Sequence, residues 1–139
     1  MLIFSALALW LSLAPPPSGE NFTDPWAILL KVKYTYAQNA YIPQFDNAIK
    51  ALDNQTVVLK GYMYPLEEAP RHEFFMLSYY PINICFFCGG AGPESVIEVS
   101  AAKPIPYATK LIRVKGKLRL NYKDRERLFY ILLGAEVVP

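Results

Sequence analysis

The chain has 139 residues, of which 53% are hydrophobic, 14% aromatic and 19% charged, and its formal net charge is +2. This length predicts one domain with a core large enough to fold without metal or disulfide staples, and the composition excludes a disordered chain. A net charge of +2 is too small to indicate nucleic acid or another acidic partner.

The N-terminal residues predict export from the cytoplasm. Residues 2–14 form an uncharged apolar run, and residues 15–19 (PPPSG) follow it as a proline tether. A helix of this length reaches about 20 Å, which is shorter than the roughly 30 Å hydrocarbon core of a bilayer. The run therefore resembles the apolar region of a signal peptide, with small residues near Ala14 for a signal peptidase.

Two arrangements of this segment stay open. No Lys or Arg precedes the run, and Pro15 directly follows Ala14, which hinders cleavage at that point. Residues 1–19 are thus interpreted as a signal peptide or an N-terminal anchor plus the proline tether, with a buried core helix as the simpler alternative. Either form of export places the domain, residues 20–139, in the periplasm or outside the cell.

Two short helices are predicted ahead of the strands. The first begins with an N-cap and a proline at its first position, Asp24-Pro25-Trp26, and is expected to end near Tyr34. A polar loop follows, and Pro43 is expected to open the second helix. Three apolar side chains share one face of that helix: Phe45, Ile49 and Leu52.

From residue 56 the hydrophobic period changes from that of a helix to that of a strand. Five strands are predicted, over residues 56–64, 73–80, 96–101, 111–120 and 128–138. Gly61 and Gly116 lie inside two of them, where glycine usually marks a bulge or a sharp bend, as a small closed barrel needs. The expected fold is mainly β, a five-stranded antiparallel OB-like barrel with two short N-terminal helices. An open five-stranded sheet is the alternative.

The two cysteines of the chain, Cys85 and Cys88, lie in a glycine-rich segment between predicted strands, residues 83–94 (the cysteine loop). A c-type haem requires a histidine directly after the second cysteine, and a four-thiolate zinc site requires a second pair. A thioredoxin-like site requires its first cysteine at a helix start. The sequence meets none of these requirements. A disulfide, a buried structural pair, a redox-active dithiol and a metal site with mixed ligands remain open.

The metal expected with these thiols is zinc, which thiolates suit. Two further ligands are available: Glu94, within the loop, and His72, the single histidine. The predicted strand that separates His72 from the loop spans about 26 Å if it is straight, which would keep the histidine away from the thiols. A surface position is the simpler interpretation of His72.

A basic strand is the second candidate surface. Eight of the fourteen Lys and Arg residues lie between residues 110 and 127. On an OB-like barrel such a stripe could bind a polyanion, although export argues against nucleic acid and a solvated strand face is the simpler interpretation. No grouping of acids, histidine and nucleophiles predicts an enzyme. Four cations form the outer face of one predicted strand: Arg113, Lys115, Lys117 and Arg119.

Several segments together resemble an uncharacterised family of bacterial periplasmic proteins: residues 61–67 (GYMYPLE), residues 75–78 (FMLS) and the cysteine loop. The resemblance covers roughly residues 24–138. It implies an OB-like fold, export by a signal sequence, no established enzyme activity, and proximity to metal-uptake and ABC-type export systems. The resemblance implies that Cys85 matches the cysteine of that family and that Cys88 would replace a nearby histidine as a soft metal ligand.

The sequence thus predicts an exported, non-catalytic binding or accessory protein whose cysteine loop holds a transition metal such as zinc. The expected partner is an envelope transport system or another membrane protein. Two alternatives stay open. One is a periplasmic thiol–disulfide redox or redox-sensing module that uses Cys85 and Cys88. The other is a polyanion binder that uses the basic strand, residues 110–127.

Overall fold

The computed structural model describes residues 23–139, and the predicted signal peptide or anchor, residues 1–19, lies outside the described residues. None of the helices within residues 23–139 has the length and hydropathy that crossing a bilayer requires. Three one-turn 3₁₀ helices lie between residues 79 and 95: Ile82–Ile84, Phe86–Cys88 and Pro93–Ser95. The other elements are, in order, α1 (Pro25–Leu29), β1 (Lys33–Ala37), β2 (Ala40–Gln44), α2 (Asn47–Lys50), β3 (Thr56–Pro65), β4 (Arg71–Ser78), β5 (Val96–Pro106), β6 (Ile112–Leu120) and β7 (Tyr130–Val138).

The five strands β3 to β7 form a closed barrel in the order β3-β4-β5-β7-β6, and β6 pairs back onto β3. A mainly β chain with a five-stranded barrel and two short helices is therefore confirmed, and the open sheet is excluded. The prediction of purely antiparallel pairing is wrong between β5 and β7, which run parallel. The reason is that β6 reverses the chain before β7 enters between β5 and β6, so β7 takes the direction of β5.

On β3 and β6, alternation of side chains places one face of the strand in the core. On β6 the interior residues Val114, Leu118 and Leu120 are buried, and the Lys and Arg residues between them are exposed. Val57 and Leu59 on β3 point into the same core. Both strands therefore turn their apolar face inward, with Ile112 half-buried at the start of β6.

Gly61 and Gly116 lie where neighbouring strands approach closely. A Cβ atom at Gly61 would come within 2.7 Å of both Leu77 Cγ and the Ser78 carbonyl oxygen, and one at Gly116 within 2.8 Å of Leu132 Cγ. The register of β6 against β7 also shifts around Gly116. Both glycines therefore allow a close approach of neighbouring strands, and the irregularity that glycine inside a strand predicts is found at Gly116.

Residues 33–44 form an antiparallel hairpin, whereas the sequence predicted a helix end, a polar loop and a helix start. The turn residues Gln38 and Asn39 have positive φ angles of 53° and 60°, as two-residue hairpin turns require. Pro43 consequently lies in β2, and α2 begins only after the N-cap Asp46. The first helix, α1, is correspondingly shorter than predicted and ends five residues before Tyr34.

Two aromatic side chains attach α1 to the barrel. The Trp26 indole nitrogen donates a hydrogen bond of 2.8 Å to the Lys60 carbonyl oxygen on β3. The Tyr130 hydroxyl on β7 donates one of 2.8 Å to the Leu29 carbonyl oxygen at the end of α1. Both aromatic side chains are buried. The helix therefore bridges β3 and β7, and the start of the described chain is held beside Lys60.

Replacing Gly61 with Ala is expected to lower the free energy of unfolding by about 1–3 kcal/mol, because the added methyl group overlaps Leu77 and Ser78. Thermal unfolding followed by circular dichroism measures the change. Lys60→Ala, at the exposed neighbouring position, is the control, with a change expected within about 0.5 kcal/mol. A Gly61→Ala protein as stable as the original would contradict the close approach of β4 to this glycine.

Candidate functional site

The cysteine loop leaves the barrel after β4 and returns to it at β5. The Tyr79 backbone nitrogen donates a hydrogen bond of 2.9 Å to the Ser95 carbonyl oxygen, which joins the two ends of the segment. Within the loop, the Cys85 carbonyl oxygen accepts hydrogen bonds from the backbone nitrogens of Cys88 at 3.2 Å and Gly90 at 3.0 Å. This tight turn brings the two cysteine side chains side by side.

The two sulfur atoms lie 3.2 Å apart, in hydrogen-bond contact, and both cysteines are free thiols. Cys85 is completely buried, whereas Cys88 is exposed. The Cys88 thiol also lies within hydrogen-bond distance of the Ile82 carbonyl oxygen, at 2.9 Å. A disulfide has its sulfurs about 2.05 Å apart, so an approach of about 1.2 Å brings this pair to bonding distance.

The buried thiol affects the acidity of the exposed one. The side-chain hydrogen bond with Cys85 raises the pKa of Cys88 above its usual value, and desolvation adds to the increase. Thiols that act as catalytic nucleophiles in thioredoxin-like proteins have a lowered pKa, because the thiolate is the reactive form. Cys88 therefore differs electrostatically from an activated redox nucleophile.

Aromatic side chains hold the cysteine loop from two sides. Phe87 stacks on Tyr64 of β3 with ring centroids 4.7 Å apart, and Phe86 packs edge-on against Tyr41 of β2 at 6.0 Å. The two phenylalanines also contact each other at 5.3 Å. The loop is thus fixed between the barrel and the β1–β2 hairpin. Sequence reasoning missed these contacts because it did not predict the hairpin that supplies Tyr41.

His72 does not join the thiols. It is the second residue of β4, six positions before Ser78, which places it about 20 Å from the end of the strand that leads to the loop. The surface position expected for His72 is wrong, because the side chain is buried beside Tyr107. Both of its ring nitrogens are without a hydrogen-bond partner among residues 23–139.

Glu94 lies against Tyr34 of β1, since the Glu94 carboxylate and the Tyr34 hydroxyl both crowd the open side of Gly92. Burial and the adjacent Glu94 carboxylate raise the pKa of Tyr34 to about 12. Within the described part of the chain, no group of three or more His, Cys, Asp or Glu side chains is placed to hold a metal ion. The zinc site stays a prediction, with Cys85 and Cys88 adjacent and the other two proposed ligands elsewhere.

The predicted basic stripe is exposed along the outer face of β6. Arg113 donates a hydrogen bond of 2.6 Å to the Pro139 carbonyl oxygen, and Arg119 lies 3.8 Å from the Asp53 carboxylate. Lys115 and Lys117, between these two arginines, are both exposed. Binding of a polyanion along the whole stripe stays a prediction.

The raised pKa predicts slow alkylation of Cys88 at neutral pH. Iodoacetamide should modify it more slowly than it modifies glutathione at about pH 7.5, and the rate should rise with pH as the thiolate forms. Cys85→Ala removes the hydrogen bond, so the rate at that pH should increase about threefold or more. Intact mass measured after the alkylation is quenched at set times gives each rate. Cys88→Ser, in which Cys85 is the remaining thiol, measures how much the buried thiol contributes to the alkylation. Equal rates in Cys85→Ala and the original protein would contradict the coupling.

Comparison with known proteins adds little to this geometry. No family model matches the chain, and no curated protein is similar to it in sequence. Among solved structures, the chain is similar to a DUF3299 family protein from Pseudomonas aeruginosa PAO1, with 24% sequence identity and a TM-score of 0.49. The match covers 66% of this chain and 64% of that protein, which is less than two thirds of its length. At this level the similarity assigns neither a family nor a ligand.

Proposed function

We propose that this chain is an exported, non-catalytic binding domain in which Cys85 and Cys88 act as a reversible dithiol–disulfide pair. The observation that carries the proposal is the contact of two free sulfur atoms at 3.2 Å, of which one is buried and the other is exposed. Such a pair closes to a disulfide in oxidising surroundings and opens in reducing ones. The raised pKa of Cys88 favours a slow, sensing role over rapid turnover.

The topology supports an OB-like description of the barrel. Three consecutive antiparallel strands, β3 to β5, are followed by β6, which pairs back onto β3, and by β7, which fills the gap between β5 and β6. Small five-stranded Greek-key barrels of this kind are recurrent binding scaffolds. Their function lies in loops and outer faces, so the cysteine loop is a suitable place for a responsive element.

Export and an envelope partner complete the proposal. The apolar residues 2–14 support export, whether they are removed or kept as an anchor. An exported domain meets an oxidising compartment, in which a pair of neighbouring cysteines can become a disulfide. The resemblance carried by residues 61–67 and the cysteine loop favours a transport system or another membrane protein as partner.

The exposure of the two thiols sets the order of the chemical steps. The Cys88 thiolate attacks a small disulfide, forming a mixed disulfide and releasing the first thiol. Cys85 then loses its proton to solvent and attacks the Cys88 sulfur, which forms the internal disulfide and releases the second thiol. Two protein thiols are oxidised and one disulfide is reduced to two thiols. Because Cys85 is buried, it acts second.

Zinc binding by the same pair is a second candidate function, favoured by the presence of both sulfurs on one short turn. Two thiolates bound to zinc at about 2.3 Å are about 3.8 Å apart in a tetrahedral site, so the pair would need to open by about 0.6 Å. The loop supplies two of the four ligands of such a site. A second copy of the cysteine loop, from another molecule, could supply the remaining thiolates.

Glutathione disulfide tests the order of attack. In a Cys85→Ser protein, Cys88 should accumulate a mixed disulfide with glutathione, whereas Cys88→Ser, with its remaining thiol buried, should form little. The original protein should lose two hydrogens in mass without retaining glutathione. Intact mass after acid quenching and alkylation distinguishes the three products. Two thiols that stay alkylatable in excess glutathione disulfide would contradict the redox proposal.

Native mass spectrometry of the chain from a periplasmic extract separates the two candidate functions. A mass deficit of two hydrogens supports the dithiol–disulfide pair, and a mass excess of one zinc with two alkylatable thiols supports the metal site. The double variant Cys85→Ser/Cys88→Ser is the control for both. If it retains as much zinc as the original protein, the metal is bound elsewhere.

A further inference from the structure

A groove of about 760 Å³ lies on the outside of the barrel over β3 and β6. Its cationic lining consists of Lys60, Arg113 and Lys115, and one wall is formed by the start of the described chain at Thr23 and by α1. Apolar side chains make up much of the remaining lining: Leu52, Val57, Val58 and Val138. The groove thus combines an apolar surface with three positive charges.

The positions of these cations lower the stability of the protein when no ligand is bound, because the charges repel each other. Lys60 and Arg113 are directly opposite each other in the antiparallel pairing of β3 with β6, and Lys115 follows on the same face. Like charges at directly opposite positions of a sheet destabilise it. The ion pairs within residues 23–139 join Arg119 to Asp53 and Arg127 to Glu98, so they involve none of these three cations.

Two carboxylates lie near the groove, and neither forms an ion pair with its cations. Asp24, on the groove wall, accepts a hydrogen bond of 3.1 Å from the Trp26 backbone nitrogen as the N-cap of α1. Glu136 is opposite Lys115 in the register of β6 with β7 but does not line the groove. Arg113 also donates a hydrogen bond of 2.6 Å to the Pro139 carbonyl oxygen, and Pro139 lines the groove, so Arg113 is already partly engaged. With three cations and one engaged carboxylate, the groove keeps an excess of positive charge.

We propose that this groove binds an anionic amphiphile, a molecule with one phosphate or carboxylate group and a short apolar chain. The anionic group lies between Lys60 and Arg113, where it relieves the repulsion of the two cations. The apolar chain lies along Val58 and Val138, which flank the cations on β3 and β7. A simple anion would leave the apolar part of the lining without a partner, and an uncharged apolar ligand would leave the cations without one.

A membrane phospholipid is the source that the chain itself favours. Thr23, on the groove wall, is where the described chain continues towards the apolar residues 2–14. The intervening residues 15–22 span at most about 28 Å even when fully extended. An anchor formed by residues 2–14 would therefore keep the groove close to a bilayer surface, where anionic headgroups and acyl chains are presented together.

Dihexanoyl phosphatidylglycerol, used below its micelle concentration, is a soluble probe of this site. Titration calorimetry with the full chain should show saturable binding, and Lys60→Glu and Arg113→Glu should each weaken it about tenfold or more. Lys103→Glu is the matched control, because it makes the same charge change at an exposed position on β5, away from the groove. It should weaken binding less than about twofold. Thermal unfolding verifies that each variant is folded.

Three outcomes would overturn the proposal: no saturable binding, equal weakening by Lys103→Glu, or equal affinity for the zwitterionic dihexanoyl phosphatidylcholine. Glycerol 3-phosphate, which has the phosphate but no acyl chain, tests the contribution of the apolar part. If it bound as tightly as the lipid, the groove would be a site for a simple phosphate, and the proposal of an amphiphile would be wrong. Backbone amide shifts in NMR spectra should appear at Val58 and Val138 with the lipid. The double cysteine variant should bind the lipid normally, so this proposal and the redox proposal can fail independently.

Discussion

The pairing of β6 with β3 closes the barrel, and the positions of both candidate sites depend on it. Closure requires tightly packed, bent strands, and Gly61 and Gly116 allow the neighbouring leucines to occupy space that a side chain would fill. On the outer face, the same pairing sets Lys60 opposite Arg113. At its far end β3 presents Tyr64 to the cysteine loop. One seam of the barrel therefore positions the cationic groove and supports the thiol pair.

Features that depend on residues close together in the chain could be predicted from the sequence. Alternation of apolar and polar residues marked β3 and β6, because a strand with one face in the core must alternate, and the other three strands were predicted as strand-like segments at the right places. The two mid-strand glycines indicated bending and closure, since glycine inside a strand otherwise only weakens it. The length of β4 was sufficient to separate His72 from the thiols. The adjacency of Cys85 and Cys88 followed from their spacing in a short loop.

The remaining features depend on contacts between distant segments, which periodicity does not encode. The parallel pairing of β5 with β7 results from the order in which strands enter the barrel. The β1–β2 hairpin turns at Gln38 and Asn39, which adopt positive φ without a glycine to signal the turn. The burial of His72 is set by packing beside Tyr107. The groove combines residues from α1, β3, β6 and the chain end, and no linear motif marks it.

The hydrogen bond between the Tyr79 nitrogen and the Ser95 carbonyl oxygen closes the base of the cysteine loop at the barrel. Because the two ends of the segment are joined at the barrel wall, a change of length among the exposed residues of the loop leaves the register of β4 and β5 unchanged. The barrel thus tolerates insertion, deletion or grafting at this position in a way that it does not at Gly61. The loop proposed to carry a redox pair could therefore be exchanged for another recognition element while the architecture stayed the same.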